Sequence, residues 1–334
     1  MSPATLIPLD AVPASFRGAV LAIGNFDGMH RGHHALFEAA RQHADRLGVP
    51  ALMLTFEPHP RTVLRPQEPF FRLTPLTAKA RLAGAFGLAG VVVANFDAAF
   101  SQMSAEAFVA DILVQRLGIS AVVVGHDFLF GHDRLGSPAY LEQEGPRHGF
   151  AVHVVGAVTD AFGAPFSATA IRGSLEIGDI AGANRDLGYR WFVTGTVQHG
   201  DKRGRELGYP TANVRLPADC GLALGIYAVT LTRADGTVLA AVASYGKRPT
   251  FDNGAVLLEV HVFDFAGDLY GEEVAVTFFA YLRGEERFAS IEALIEQMDR
   301  DSLAARAILA SAGEGSGLDR RIAATMVART LPIS

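Results

Sequence analysis

Short, uninterrupted apolar runs alternate with longer segments of helical pattern in the first half of the chain. The runs predict buried strands at residues 19–23, 51–56, 91–94, 121–125 and 152–155. The segments between them predict helices at 33–47, 76–86 and 105–117. Strands without polar alternation that are separated by helices are typical of a parallel sheet covered on both faces. Ligands of such sheets bind outside the carboxyl ends of the strands.

The pattern changes near Asn184. From Trp191 onward apolar and polar positions alternate, which predicts strands at 191–197, 226–232, 238–244, 256–263 and 273–281. Turn residues at 234–236 and 252–254 indicate hairpins, so this half is predicted to form an antiparallel barrel or sandwich. A helix is predicted at 290–309, with one apolar face formed by Ile291, Leu294, Ile295 and Met298. We therefore expect two domains, 1–184 and 185–311, followed by a tail at 312–334.

Length and composition are those of a globular protein with two cores. The chain has 334 residues, of which 49% are hydrophobic and 19% are charged. A net charge of −6 argues against a nucleic-acid partner, since such binders neutralise phosphates with basic residues. The only cysteine, Cys220, fits a reducing compartment. No secretory signal and no apolar run of roughly 20 residues is apparent, so we expect a cytoplasmic protein without a membrane partner; a weak homo-oligomer stays open.

The first candidate site directly follows the first predicted strand. Its sequence is Gly24-Asn25-Phe26-Asp27-Gly28-Met29-His30-Arg31-Gly32-His33. His30 and His33 are three residues apart at the start of a predicted helix, so both imidazoles lie on one face beside amides that favour anions. Phosphoryl and nucleotidyl transfer need positioning and charge stabilisation more than covalent help. The pattern therefore predicts His30 and His33 as catalytic residues; the alternative for a lone His-x-x-His is a helix cap or surface feature.

The second candidate site is a glycine-rich, basic segment in the other half. Its sequence is Gly200-Asp201-Lys202-Arg203-Gly204-Arg205-Glu206-Leu207-Gly208-Tyr209-Pro210-Thr211-Ala212-Asn213. Such a segment can wrap a polyphosphate, and Thr211 and Asn213 offer oxygen ligands to Mg²⁺. The alternative is an ordinary glycine-rich hairpin loop. No P-loop sequence and no protein-kinase signature occurs anywhere in the chain, so kinase activity would need another scaffold.

Several ordered segments resemble the prokaryotic bifunctional riboflavin kinase/FAD synthetase family. Residues 24–33 are similar to its adenylyltransferase motif, and 55–60, 125–131 and 167–172 match further family segments in order. The resemblance implies ATP binding by Gly24, Asn25, Phe26, Asp27, Gly28, Asp127, Ser167, Thr169 and Arg172. One departure is Ala168, which stands where the family's Ser-Ser-Thr-x-Ile-Arg motif has its second serine. One hydroxyl that contacts a phosphate is therefore missing.

The second segment resembles the riboflavin kinase motif Gly-Arg-x-Leu-Gly-Phe/Tyr-Pro-Thr-Ala-Asn, and 225–228, 246–251 and 258–265 continue the likeness. The resemblance implies that Glu259 is the catalytic base and that Thr211 and Asn213 hold the metal. It implies nucleotide binding by Gly200, Lys202, Gly204, Arg205, Gly208, Pro210, Thr211 and Asn213. A further departure is Ser244, where the family commonly has Asn.

Taken over the whole chain, the resemblance implies a Rossmann-like nucleotidyltransferase domain followed by an antiparallel β-barrel kinase domain with a terminal helix. It implies that riboflavin is phosphorylated to FMN with ATP and Mg²⁺, and that FMN is adenylylated to FAD with release of pyrophosphate. Riboflavin, FMN, FAD and ATP are then the small-molecule partners. Two alternatives stay open, namely a kinase whose N-terminal domain is an impaired flavin-nucleotide binding or regulatory module, and a transferase for a different acceptor.

Overall fold

A computed structural model of the chain describes residues 2–199, 209–247, 256–313 and 315–326. The chain forms two compact units, of which the first ends at Ser167 and the second begins at Ala168. The predicted parallel sheet and antiparallel barrel are both present. The predicted functional boundary between residues 184 and 185 lies 17 residues after the start of the second unit and stays a prediction.

A six-stranded parallel sheet forms the centre of the first unit, in the order β1-β4-β3-β2-β5-β6. Its strands are β1 Thr5–Pro8, β2 Val20–Ile23, β3 Ala51–Glu57, β4 Gly90–Asn95, β5 Ala121–Gly125 and β6 Ala151–Val155. All four residues of β2 are buried, as a central strand requires. The chain runs from β2 outward to β3 and β4 and then returns to the other side of β2 with β5. The carboxyl ends of β2 and β5 therefore form the switch point at which ligands of such sheets bind.

Helices connect the strands of this sheet. They are α1 Arg31–Leu47, α2 Pro60–Leu64, α3 Leu76–Ala85, α4 Ala98–Ser101, α5 Ala105–Ala107 and α6 Pro138–His148, and a π-helical segment, Phe108–Arg116, continues α5. Helix α1 ends at Leu47, and Gly48 caps it in a left-handed conformation with φ of 67°. The five predicted strands and the predicted helices at 33–47 and 76–86 are confirmed to within two residues at each end. Strand β1 was not predicted.

A closed antiparallel barrel forms the second unit, with the strand order β10-β11-β8-β7-β12-β9. The strands are β7 Phe192–Gln198, β8 Ala212–Val214, β9 Gly225–Thr232, β10 Val238–Lys247, β11 Val256–Val262 and β12 Glu273–Arg283. Because its sheet is closed, this unit is a barrel and not the sandwich that the hydrophobic pattern also allowed. The three-residue strand β8, which was not predicted, pairs with both β7 and β11.

The described residues of the second unit include four helices, namely α7 Ala168–Glu176, α8 Ile180–Leu187, α9 Ile291–Ser311 and α10 Gly317–Met326. The predicted terminal helix is α9, and the side chain of Ser290 caps it. Its apolar contact with the barrel exterior is made by Ala305 near its C-terminal end, against Ala228 and Phe263. The predicted apolar face was partly wrong, because Ile291 is 60% exposed. Helix α10 occupies part of the unassigned tail.

Candidate functional sites

The loop between β2 and α1 places the first motif at the switch point of the sheet. It contains two non-glycine residues with positive φ, Phe26 at 46° and Met29 at 41°, and Gly28 at 81°. Phe26 and Met29 are both buried. A bulky residue in the left-handed region costs about 1–3 kcal/mol and persists only where its surroundings hold it. The loop is therefore a constrained structure.

Thr74, in the segment before α3, holds this loop from one side. Its hydroxyl accepts the Gly28 N–H at 2.9 Å and lies 3.2 Å from the Phe26 carbonyl oxygen. Its own N–H donates to Oδ1 of Asp27 at 3.0 Å. Asp27 is 4% exposed, so this carboxylate is satisfied by a backbone donor within the protein. The Asp27 side chain therefore anchors the loop.

His30 and His33 are brought together as predicted. His30 precedes the first residue of α1, and His33 lies within the first turn. Their rings are stacked with centroids 3.8 Å apart, and the rings of His33 and Phe26 make a T-shaped contact with centroids 5.2 Å apart. Nδ1 of His33 is buried and has no hydrogen-bond partner among the described residues. The pair forms one imidazole surface at the start of a helix, where the helix dipole favours negative charge.

The pKa of His33 lies well below its ordinary value. Burial is the largest cause, and the neighbouring His30, His34 and Lys79 lower the pKa further. His34 is itself fixed, because its Nε2 lies 2.9 Å from the carbonyl oxygen of Met29. His33 is therefore a neutral imidazole at pH 7. A neutral ring still carries one N–H donor for a phosphate oxygen.

A buried cation beneath the loop was missed by the sequence analysis. The Lys79 ammonium, on α3, donates to Oγ1 of Thr55 at 3.0 Å and lies 3.5 Å from the Glu57 carboxylate. Thr55 in turn donates to the carbonyl oxygen of Asn25 at 3.1 Å. Arg72 also pairs with Glu57. Burial lowers the pKa of Lys79, while Glu57 and Asp27 act in the opposite direction. The signal in the sequence was the pair of cations Lys79 and Arg81 inside a helical run of mainly apolar and small residues.

The remaining predicted residues of the first site occupy three different elements. Asp127 follows β5, the strand next to β2, with its side chain 83% exposed. Ser167 ends the first unit, whereas Thr169 and Arg172 lie on α7, which belongs to the second unit. Thr169 is exposed and Arg172 half-buried. That Asp127, Ser167, Thr169 and Arg172 join the histidines at one ATP site stays a prediction.

Asn213 and Glu259 are directly opposite each other in the barrel, in the ladder between β8 and β11. Gln198 faces Asn213 from β7, and Ser244 faces Glu259 from β10. Directly opposed residues of antiparallel strands point to the same face. The four polar side chains therefore form one row across four strands. We call Gln198, Asn213, Glu259 and Ser244 the barrel row.

Burial shows that the barrel row lies on the outer face. The neighbours of Glu259 in β11, Leu258 and Val260, are fully buried and point into the barrel. Glu259 is half-buried, in agreement with the predicted alternation. Asn213 is only 4% exposed although it points outward. A buried amide beside a carboxylate is an arrangement suited to binding a polar ligand.

The segment before β8 is held against the outer face near the barrel row. Nδ1 of His261 donates to the carbonyl oxygen of Pro210 at 2.9 Å, and the His261 ring packs on Tyr209 with centroids 4.7 Å apart. The Tyr209 hydroxyl is hydrogen-bonded to Asp299 on α9. Thr211 follows Pro210 and is half-buried. The predicted residues Gly200, Lys202, Gly204, Arg205 and Gly208 lie outside the described residues.

Comparison with known proteins covers both units. A family model for FAD synthetase matches residues 12–169, and one for riboflavin kinase matches residues 187–309. The bifunctional riboflavin kinase/FMN adenylyltransferase of Pseudomonas fluorescens is 42% identical over 88% of this chain and 94% of its own length. The chain belongs to the bifunctional riboflavin kinase/FMN adenylyltransferase family. The Escherichia coli K12 protein of the same description is 37% identical over 86% of this chain and 92% of that protein.

The family fold recurs in a solved structure described as a macrolide-efflux protein from Streptococcus pneumoniae. It superimposes with a TM-score of 0.79 at 30% identity, over 90% of this chain and 98% of that chain. Within the described part of this chain, no helix is long and apolar enough to cross a membrane. Likewise, no cluster of three or more His, Cys, Asp or Glu side chains with metal-binding geometry occurs among the described residues.

Proposed function

We propose that the chain is a bifunctional enzyme, a riboflavin kinase and an FMN adenylyltransferase. The barrel unit phosphorylates riboflavin to FMN with ATP, and the parallel-sheet unit adenylylates FMN to FAD with a second ATP. The observation that carries this conclusion is the presence, in one chain, of a stacked histidine pair at the switch point and of an Asn–Glu pair on the barrel. Each arrangement falls within the segment matched by the corresponding family model.

In adenylylation, a phosphate oxygen of FMN attacks the α-phosphorus of ATP, and the bond from the α-phosphorus to the α,β-bridging oxygen breaks, so that pyrophosphate leaves. Negative charge builds on the non-bridging oxygens of the α-phosphorus. His30 and His33 act as preorganised donors to these oxygens, together with the amides at the start of α1. The His33 imidazole is neutral, so it contributes a hydrogen bond without the full electrostatic attraction of a cation. The incoming nucleophile is already an anion and needs no base.

In phosphorylation, the nucleophile is the 5′-hydroxyl of riboflavin, which must lose a proton as its oxygen attacks the γ-phosphorus of ATP. Glu259 accepts this proton, and ADP leaves with the electrons of the broken bond. The Glu259 carboxylate points outward from strand β11, beside the Asn213 amide. A base on a strand of a closed barrel is held in a fixed position.

The donors beside Glu259 fit Mg²⁺. This ion prefers oxygen ligands and retains several waters, so it needs few protein groups. Thr211 offers a hydroxyl, and Asn213, two residues further along the extended chain, offers an amide oxygen. These two residues would hold the ion, which supplies positive charge to the ATP phosphates. The nearly complete burial of Asn213 fixes its side chain for this purpose.

The isoalloxazine ring of FMN requires an apolar surface near the histidine pair. Aromatic side chains lie where β4 and β5 end, and three of them are half-buried, namely Phe96, Phe100 and Phe128. Phe96 and Phe100 pack on each other with centroids 5.7 Å apart. We assign the flavin ring to this surface, because partly exposed aromatic rings offer stacking without a large ordering cost. A cytoplasmic location, with riboflavin, FMN, FAD and ATP as small-molecule partners, is part of the proposed function.

The test is a time course with the purified chain, riboflavin, ATP and Mg²⁺, in which FMN and FAD are separated by chromatography. FMN is expected first, and FAD is expected to follow as FMN accumulates. A second reaction that starts from FMN should give FAD directly, and EDTA should stop both. Accumulation of FMN in the first reaction, with no FAD formed in either reaction, would instead support a kinase with an impaired N-terminal module.

A further inference from the structure

The hydrogen bonds beneath the first loop connect a buried lysine to the backbone of the candidate ATP site. The Lys79 ammonium donates to the Thr55 hydroxyl at 3.0 Å, and this hydroxyl donates to the Asn25 carbonyl oxygen at 3.1 Å. Lys79 and Thr55 are both fully buried. Lys79 lies on α3 and Thr55 on β3, so two elements remote in sequence from the loop converge on one of its carbonyl groups.

Two consecutive peptide groups of the loop are fixed in this manner. The Asn25 carbonyl is bound by Thr55, and the Phe26 carbonyl is within hydrogen-bonding distance of Thr74. In a trans peptide the carbonyl and the following N–H point in opposite directions. Binding these two carbonyls to the protein interior therefore directs the N–H groups of Phe26 and Asp27 away from Thr55 and Thr74. Concavities lined by successive backbone N–H groups bind anions in phosphate-binding loops.

The backbone strain of the same loop gives a second, independent reason for such support. Phe26 has a φ of 46° and Met29 a φ of 41°. Glycine would adopt these conformations without cost, whereas Phe and Met do not. The loop therefore needs fixed partners to remain in this conformation when the ATP site is empty. The Lys79–Thr55 and Thr74 hydrogen bonds supply such partners on its interior side.

A buried ion pair often contributes no more to stability than well-packed apolar residues of similar volume, so stability alone does not account for a lysine at this position. Lys79 is paired with Glu57, which also pairs with Arg72. The same cation also acts on the histidine pair, since it is one of the groups that lower the pKa of His33. Lys79 thus influences both the backbone of the loop and the protonation of a side chain in it.

We propose that Lys79 is a positioning residue for FMN adenylylation, which acts through Thr55 to hold the Asn25–Asp27 backbone in the conformation that receives the phosphates of ATP. The inference rests on the proposed function of this unit. It concerns a residue that does not contact the substrate, and it predicts that its effect is confined to adenylylation. Riboflavin phosphorylation, which takes place on the barrel, is then an internal control within every variant.

The experiment compares Lys79→Met, Thr55→Val and Thr55→Ser in the full chain. Lys79→Met removes the charge and all donors at similar length, and Thr55→Val removes only the hydroxyl. For both, we expect the KM for ATP in adenylylation to rise roughly tenfold, with the KM for FMN unchanged. Thr55→Ser keeps the hydroxyl and should retain the parental KM. The Lys79→Met/Thr55→Val double variant should be no worse than the poorer single variant, because both changes break one relay.

The pH profile separates positioning from general destabilisation. Lys79→Met removes a positive charge near His33, so the pH limb of adenylylation that reports His33 should move to higher pH, whereas Thr55→Val should leave it in place. A parental KM for ATP in Thr55→Val, or effects that multiply in the double variant, would overturn the proposal. If Lys79→Met does not fold, the Thr55→Val and Thr55→Ser pair still decides it. A parental protein that makes no FAD from FMN and ATP would refute the proposed function itself.

Discussion

Asn213 and Glu259 are cross-strand partners on the outer face of the barrel, although 46 residues separate them in the sequence. One is a proposed oxygen ligand of Mg²⁺ and the other the proposed base for the riboflavin hydroxyl. Directly opposed residues have Cβ atoms about 4.5–5.5 Å apart. The metal-bound phosphates and the hydroxyl that attacks them would therefore meet between two adjacent strands. Mutation of each residue alone can therefore test its proposed function.

Glu259→Gln should reduce riboflavin phosphorylation by about 10²–10⁴-fold, because the amide preserves the shape of the side chain but cannot accept the proton. FMN adenylylation should continue at the parental rate. The measurement is a pair of assays on one preparation, with riboflavin in one and FMN in the other. Glu296→Gln, on the exposed face of α9, is the matched control. Parental phosphorylation by Glu259→Gln would show that another group is the base.

Replacement of His30 or His33 by Ala should reduce FAD formation by roughly 10²–10³-fold, the usual effect of losing one donor to a developing oxyanion. FMN formation should be retained, since the barrel does not include these residues. His43→Ala, ten residues further along the same helix, controls for loss of an imidazole from α1. Equal damage to both activities would indicate unfolding of the chain instead.

Ala168→Ser tests the departure from the family motif at the first residue of α7. The new hydroxyl adds a donor for an ATP phosphate, and a hydrogen bond to a charged group contributes about 1.5–3 kcal/mol. We expect a lower KM for ATP in adenylylation, with riboflavin phosphorylation unchanged. ATP titrations at saturating FMN measure this, with Ala170→Ser as the control on the same helix. A slower Ala168→Ser enzyme would show that the segment has adapted to the smaller side chain.

A fragment that begins at Ala168 should phosphorylate riboflavin and form no FAD. It retains Asn184, whose side chain accepts the Trp191 N–H at 2.8 Å and donates to the Phe278 carbonyl oxygen at 3.0 Å. A fragment that begins at Leu187 lacks these two bonds, each contributing about 1 kcal/mol, and should have a lower Tm. Thermal unfolding and riboflavin phosphorylation of the two fragments test this. A soluble Ala168 fragment without kinase activity would contradict the proposed division of functions.

The first unit should lose stability as the pH falls below about 6.5. The rings of His43 and His153 stack at 3.3 Å, and burial lowers the pKa of each, with Arg46 lowering both further. The unfolded chain therefore binds protons at a higher pH than the folded chain, so acid favours unfolding. Urea unfolding followed by circular dichroism between pH 7.5 and 5 measures the decline. His153→Phe should make the decline shallower, whereas the loop variant His132→Phe should not.

The strand positions illustrate how far local pattern reaches. The strands at 51–56 and 121–125 were predicted because a mainly apolar run of five or six residues is short for a helix and has the length of a fully buried strand. The barrel strands were predicted from alternation, because successive side chains of a strand point to opposite faces with a period of two residues. Strands β1 and β8 were missed, since four and three residues are too few to show any period. Their existence depends on pairing with strands that are distant in the sequence.

The sequence by itself determined the two fold classes, the histidine pair at a strand–helix junction and the family resemblance that points to Thr211, Asn213 and Glu259. These follow from short-range spacing and from motifs a few residues long. Only the tertiary structure decided the strand order in which the barrel closes, that Asn213 faces Glu259, and that Lys79 reaches the Asn25 carbonyl through Thr55. Each of these is a contact between segments far apart in the chain. Such contacts depend on strand order and register, which local hydrophobic pattern does not specify.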